Sequence, residues 1–193
     1  MKSSMQKQEE KEFLIWKVLN KIVVGKNVKE ELVDVYDQNR KTTGKIINRR
    51  DIGSLTNNEY IITVHCFIIN SSNQILLTQR SFNKNRGGKW EETHGGLKSG
   101  EKSINGIIRE LQEEIGINVK ANELKLVKIL KRENKFRDIY ILRKDIPLCS
   151  LKYNDGEVMN CKYVSLNEFK SMIKNKECTF KKFEETIFYN NDI

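Results

Sequence analysis

The sequence predicts a mixed α/β (α+β) fold, with strands layered against helices. Two observations carry this prediction. Residues 60–69, YIITVHCFII, form a nearly continuous apolar and β-branched run of the kind that makes a buried strand. A helical pattern between Glu101 and Gly116 has strand-like segments on both sides of it in the chain, which indicates a sandwich of strands and helices.

The elements follow in order. Residues 1–12 are polar and charged, lack the apolar core of a secretory signal, and are expected to be disordered. Phe13, Trp16, Leu19, Ile22 and Val23 recur at helical spacing. That helix would pack on the main domain or on a second subunit, which leaves a homodimer open. Residues 1–27 are therefore read as an N-terminal extension and 28–193 as one domain. Residues 31–37 suggest a short strand, followed by a polar turn over 38–44. The strand at 60–69 ends at Asn70-Ser71-Ser72-Asn73, and Ile75-Leu76-Leu77-Thr78 resumes beyond it, so a hairpin is expected. A loop rich in Asn, Lys, Arg and Gly spans 81–89 and leads to Trp90 and the Gly95-Gly96 pair. A helix over 103–115 follows, stopped by Gly116. Later strands are expected at 124–130, 138–143 and 162–164. Two closing helices are expected, one opened by Ser165 over 167–173 and one around 180–189.

Composition bounds the function. The chain has 193 residues, with 35 Lys and Arg against 26 Asp and Glu, a net charge of +9. It is crowded with Lys, Asn and Ile and holds a single Pro, a skew that resembles A/T-rich coding bias rather than selection for a basic surface. No Lys/Arg block or interleaving of aromatic and basic residues marks a nucleic-acid surface, so nucleic acid is not the expected partner. No apolar run reaches the roughly 18 residues of a membrane helix, so no membrane partner is expected and a cytoplasmic location is. Cys66, Cys149, Cys161 and Cys178 show no CxxC spacing, which fits a reducing compartment without a zinc or disulfide framework.

The chemistry concentrates in the helix over 103–115. Ile104, Ile108, Leu111 and Ile115 share one face, and Glu110, Glu113 and Glu114 cluster on another. Three carboxylates on one patch repel one another unless something positive neutralises them. Arg109 offsets part of that charge, and hard divalent cations prefer such oxygens. On the helix alone, a solvated acidic face and a metal site are both open. The Gly95-Gly96 pair ahead of it lets the backbone approach a ligand closely.

Gly95, five residues, Glu101, seven residues, then Arg109-Glu110-Leu111-Gln112-Glu113-Glu114-Ile115-Gly116-Ile117 resembles the Nudix box, GX5EX7REUXEEXGU with U aliphatic, at every fixed position. The resemblance implies a Nudix fold, a mixed β-sheet sandwiched between helices, and hydrolysis of a diphosphate in a nucleoside-diphosphate-linked or related small molecule. It implies Mg²⁺ or Mn²⁺ held by Glu110, Glu113 and Glu114, with a backbone carbonyl of Gly95 or Gly96 as a further ligand. Arg109 would orient a glutamate and Glu101 would support the site. Glu110 or Glu157 would act as general base, with Asp155 a weaker option. Arg80 and Lys89 are candidates to meet substrate phosphates, together with Lys84 and Arg86; a solvated basic loop is the plainer reading of all four.

The resemblance extends over residues 31–173. Val33-Asp34-Val35-Tyr36-Asp37, Leu76-Leu77-Thr78-Gln79-Arg80 and Gly88-Lys89-Trp90-Glu91 look like the branch that includes isopentenyl diphosphate isomerase. That enzyme relies on a cysteine just before the box and on a degenerate box. Here the preceding segment, Trp90-Glu91-Glu92-Thr93-His94, holds no cysteine and the box is intact, which favours hydrolysis over isomerisation. An intact box also disfavours a non-catalytic nucleotide-sensing domain. His65, in an apolar strand, reads as a packed or hydrogen-bonded imidazole, and Trp90 as packing.

Overall fold

Val33 and Val35 point inward from β1 (Leu32–Tyr36), which pairs antiparallel with β2 (Thr42–Asn48) to form a separate two-stranded sheet. Asp37 makes the turn between them, its Oδ1 accepting from the amides of Asn39 and Lys41 at 2.8 Å each. The computed structural model describes residues 30–153 and 156–180, and its described residues from Leu32 onward belong to one compact unit. The expected helices over 13–23 and around 180–189, the boundary after residue 27 and the Asp155 option lie outside the described residues, apart from Phe180 itself.

A 3-10 turn, Arg49–Ser54, leads to β3 (Ile61–Ile69), and β4 (Ile75–Arg80), β5 (Trp90–Glu91) and β6 (Thr93–Gly96) follow. The helix α1 (Ser103–Ile115) comes next, then β7 (Leu124–Arg132), β8 (Lys135–Arg143), β9 (Val158–Val164) and the helix α2 (Leu166–Lys174). The seven-stranded sheet has the order β5-β4-β3-β8-β7, with β6 also on β3 and β9 also on β4. Only β3 and β8 run parallel. All nine residues of β3 are buried, which explains its unbroken apolar reading.

Alternation along β3 divides two cores. Ile62, Val64, Cys66 and Ile68 pack with Ile107, Leu111 and Ile115 of α1. Phe67 and Ile69 join Ile75, Leu77, Ile139 and Ile141 against Phe169, Met172 and Ile173 of α2. The mixed sheet between helices is thus the expected sandwich. Gly116 ends α1 in the left-handed conformation at φ 73°, and Ser165 caps α2 by accepting from the Glu168 amide at 3.1 Å.

Three elements depart from the sequence expectation. β2, β5 and β6 occupy segments where no strand is expected. β6 is Thr-His-Gly-Gly, a poor strand sequence, and it forms because the open edge of β3 at residues 63–66 pairs with it. For the same reason the expected hairpin is joined only at its closed end, through Ile68 to Leu76 and Ile69 to Ile75. Beyond that point β4 pairs with β5 instead, while β9 pairs with β4 along its whole length.

Candidate functional site

The inward face of α1 is rotated from the one its isoleucines suggest. Gly106, Ile107, Glu110, Leu111, Glu114 and Ile115 are buried, while Ile104 and Ile108 are only partly so. Two of the three carboxylates therefore lie on the packed side of the helix. The opposing strand explains how: a Cβ on Gly95 would stand 2.0 Å from Glu110 Cδ, so only glycine leaves room for that carboxylate.

Arg109 ties the cluster together. Its Nε and Nη2 donate to the two Glu101 oxygens at 2.8 Å each, and Nη2 also donates to the Gly96 carbonyl at 2.9 Å. Its Nη1 donates to Glu110 Oε1 at 2.7 Å and to Glu113 Oε2 at 2.8 Å. Glu101 accepts in addition from the Lys98 amide, and Lys98 Nζ reaches Glu113. Burial disfavours the guanidinium charge, but Glu101 and Glu110 outweigh it and hold its pKa above the ordinary value. For Glu113, on the exposed flank, burial is the largest single influence and pushes the pKa up, but the bonds and charges of Arg109 and Lys98 together outweigh it and the pKa falls. Glu101 behaves likewise. For Glu110 burial prevails over Arg109 and raises the pKa. Glu114 is buried, and its charge is felt at Cys161 on β9.

The structure thus brings Gly95, Glu101, Arg109, Glu110 and Glu113 together, with Glu114 one turn beyond Glu110. The other candidates stand elsewhere. Glu157 lies in the loop before β9, where its carbonyl accepts from the Ser81 amide at 2.8 Å and its carboxylate pairs with Lys84. Those contacts join it to the 81–89 loop rather than to α1. Arg80 donates to Glu91 Oε1 and to the Asn85 carbonyl, and Lys89 Nζ donates to the Lys176 carbonyl. Trp90 packs at the edge of the α2 core with Lys162 over its ring.

Sequence reasoning missed two groups. Arg49 approaches the opposite side of the glycine pair, its Cζ 3.3 Å from where a Gly96 Cβ would be, and its charge acts on Glu110. Lys135 and Arg137 of β8 lie near enough to Arg49 that burial and their mutual repulsion lower the Lys135 pKa. These cations come from separate segments, so no local pattern could show them as one group. The second group is His65, Glu92 and His94. His65 Nδ1 lies 2.6 Å from Glu92 Oε1, and the two imidazoles stack with centroids 5.1 Å apart. Burial, reinforced by Arg137 and Lys135, pushes His65 down to about 3, and burial pushes Glu92 up to about 7.

Comparison with known proteins bears on the family and the fold. Residues 59–183 match the model of the NUDIX domain. A Listeria monocytogenes protein described as an uncharacterized Nudix hydrolase is 28% identical over 141 residues, spanning 72% of this chain and 82% of its own length. One from Clostridium acetobutylicum, described in the same terms, is 26% identical over 162 residues, 77% of each chain. A crystal structure from Deinococcus radiodurans has the same fold, with a TM-score of 0.66 at 20% identity over 77% of this chain and 91% of that one. Among the described residues no helix is long and apolar enough to cross a membrane.

Proposed function

The chain belongs to the NUDIX domain family, and on that premise we propose that it is a metal-dependent pyrophosphohydrolase. Its substrate in this reading is a nucleoside-diphosphate-linked or related organic diphosphate. The observation that carries the reading is the Arg109 hub, which holds Glu101, Glu110 and Glu113 in one array beside the glycine strand.

The donor set suits a hard divalent cation. Glu110 lies against a backbone that lacks a Cβ at Gly95, and Glu113 and Glu114 follow it one turn further along α1. These residues, with a Gly95 carbonyl, would hold Mg²⁺ or Mn²⁺. Such an ion, when bound, neutralises diphosphate oxygens and makes water acidic enough to attack at neutral pH. Arg109 fixes the carboxylates so that they need not reorganise during the reaction. Glu110, buried on the inner side of α1 against Gly95, is the general base in this reading. Glu157 is held by Lys84. Arg49, Lys135 and Arg137 supply positive charge for a polyanionic substrate, whereas Arg80 and Lys89 brace the 81–89 loop.

A metal-supplemented panel of nucleoside triphosphates, sugar nucleotides, dinucleoside polyphosphates and coenzyme conjugates tests the reading. At least one compound should be cleaved at a diphosphate bond, and Glu114→Gln should abolish that cleavage. Wild-type turnover by Glu114→Gln would show that the site is misassigned.

A further inference from the structure

The buried histidine cluster lies across the sheet from α1. Val64 and Cys66 face Ile107 and Leu111, so His65 between them faces the other side. The β3–β6 register sets Val64 opposite Gly95, which meets Glu110, and His65 opposite His94. Glu92 is two residues from His94. We propose that His65, Glu92 and His94 form a second metal site, one for a divalent transition ion such as Zn²⁺ or Co²⁺, separate from the carboxylates of α1. The inference does not depend on the hydrolase reading.

Three observations support it. One ligand atom from each residue lies within 4.8 Å of the others, and bonds of about 2.1 Å at the tetrahedral angle set two ligand atoms roughly 3.4 Å apart. Closure therefore needs the widest pair to approach by about 1.4 Å at most, within reach of side-chain rotation. Glu92 is 2% exposed, yet its Oε2 has no hydrogen-bond partner among the described residues, and such an atom is costly without a ligand. The surrounding bonds also aim both imidazoles. Thr63 Oγ1 donates to the Phe136 carbonyl at 3.4 Å and is positioned to accept from His65 Nε2 at 3.0 Å. With the proton on Nε2, donated to Thr63 Oγ1, the Nδ1 lone pair faces Glu92. His94 Nδ1 donates to the Glu92 carbonyl at 3.1 Å, which leaves Nε2 as its lone pair. Metal-binding histidines are oriented by this kind of outer hydrogen bond.

Lone pairs on His65 Nδ1 and Glu92 Oε1 face each other at 2.6 Å, so a proton or a metal must lie between them. Metal uptake would release that proton to solvent. Two imidazoles and one carboxylate select a transition ion over Mg²⁺. Arg137 and Lys135 act on His65 and oppose a cation, and an anionic group such as a phosphate oxygen in the open coordination position would offset them.

The full-length protein, held in excess Mg²⁺, is titrated with Co²⁺ and followed by visible d–d absorption. One equivalent should produce the bands, and they should persist in a Glu110→Gln/Glu114→Gln double variant. His94→Ala, at a half-buried position, should weaken Co²⁺ binding by at least about 100-fold while unfolding at the wild-type temperature. Glu92→Gln is the second variant and should do the same. Absent bands, bands unchanged in His94→Ala and Glu92→Gln, or bands lost in the double variant would each overturn the proposal. Loss of turnover in Glu114→Gln with Co²⁺ binding intact separates this site from the hydrolytic one.

Discussion

Gly95 and Glu110 share one space: a Cβ on the glycine would stand 2.0 Å from the glutamate Cδ and equally close to its Oε1. The strand and the helix are thereby fitted to each other at a point where a carboxylate is buried. Everything else in the acidic array is referred to that contact through Arg109, which binds Glu110 and the carbonyl of Gly96 together.

Gly95→Ala should uncouple stability from activity. The atoms in the way are the end of a flexible side chain, so the Glu110 carboxylate can swing aside for about 1–3 kcal/mol of overpacking. Denaturant unfolding should show that modest loss, while turnover falls by roughly 100-fold or more because the carboxylate has left its place. A variant with full activity would refute the close fit.

Arg109→Lys should not substitute. An ammonium cannot hold Glu101 through two bonds while reaching Glu110, Glu113 and the Gly96 carbonyl. The charge is kept but several of its hydrogen bonds are lost, at an expected cost of about 1–3 kcal/mol measured by equilibrium unfolding. The pKa values of Glu101 and Glu113 should rise toward that of a free carboxylate, as seen by carboxyl NMR titration.

Arg40→Ala should destabilise the fold without entering the site. Arg40, at φ 62° in the β1–β2 turn, forms a two-pronged pair with Asp138, which is 1% exposed and also accepts from Ser103 at the start of α1. Without it the aspartate is left charged in the interior, at a cost of about 3 kcal/mol. Asp138→Asn in the Arg40→Ala background should recover part of that loss, which a double-mutant cycle would read.

In the metal-free protein, in chelator, Glu92 and His65 should pull stability in opposite directions as pH rises: His65, pushed down to about 3 by burial, adds stability up to its ordinary 6.5, and Glu92 removes it. Burial raises the Glu92 pKa to about 7 from an ordinary 4.5, so between those values the folded chain binds more protons than the unfolded one. The contribution is fully present below about pH 4.5 and is lost as pH rises through about 7. Glu101 and Glu113 have the opposite sign: their lowered pKa values contribute stability above 4.5 that is lost on acidification. Glu92→Gln should leave the His65 contribution unopposed, so that stability rises with pH between about 4.5 and 6.5, as followed by urea midpoints across pH.

By itself the sequence determined the box and the helix that carries it. Local spacing and a glycine stop sufficed to place α1 within its observed bounds, because capping and helical periodicity act over a few neighbouring residues. The buried strand β3 was legible for a related reason, since burial on both faces requires an unbroken apolar run. Tertiary structure decided the rest. It made a strand of Thr93–Gly96 by offering it an open edge, and it turned Glu110 and Glu114 inward where periodicity had set the carboxylates on a face of their own. It also gathered Arg49, Lys135 and Arg137 on one side of the glycine pair, and His65, Glu92 and His94 on one face of the sheet. Strand pairing sets such neighbours, and pairing depends on register between segments far apart in the chain, which no local pattern of residues records.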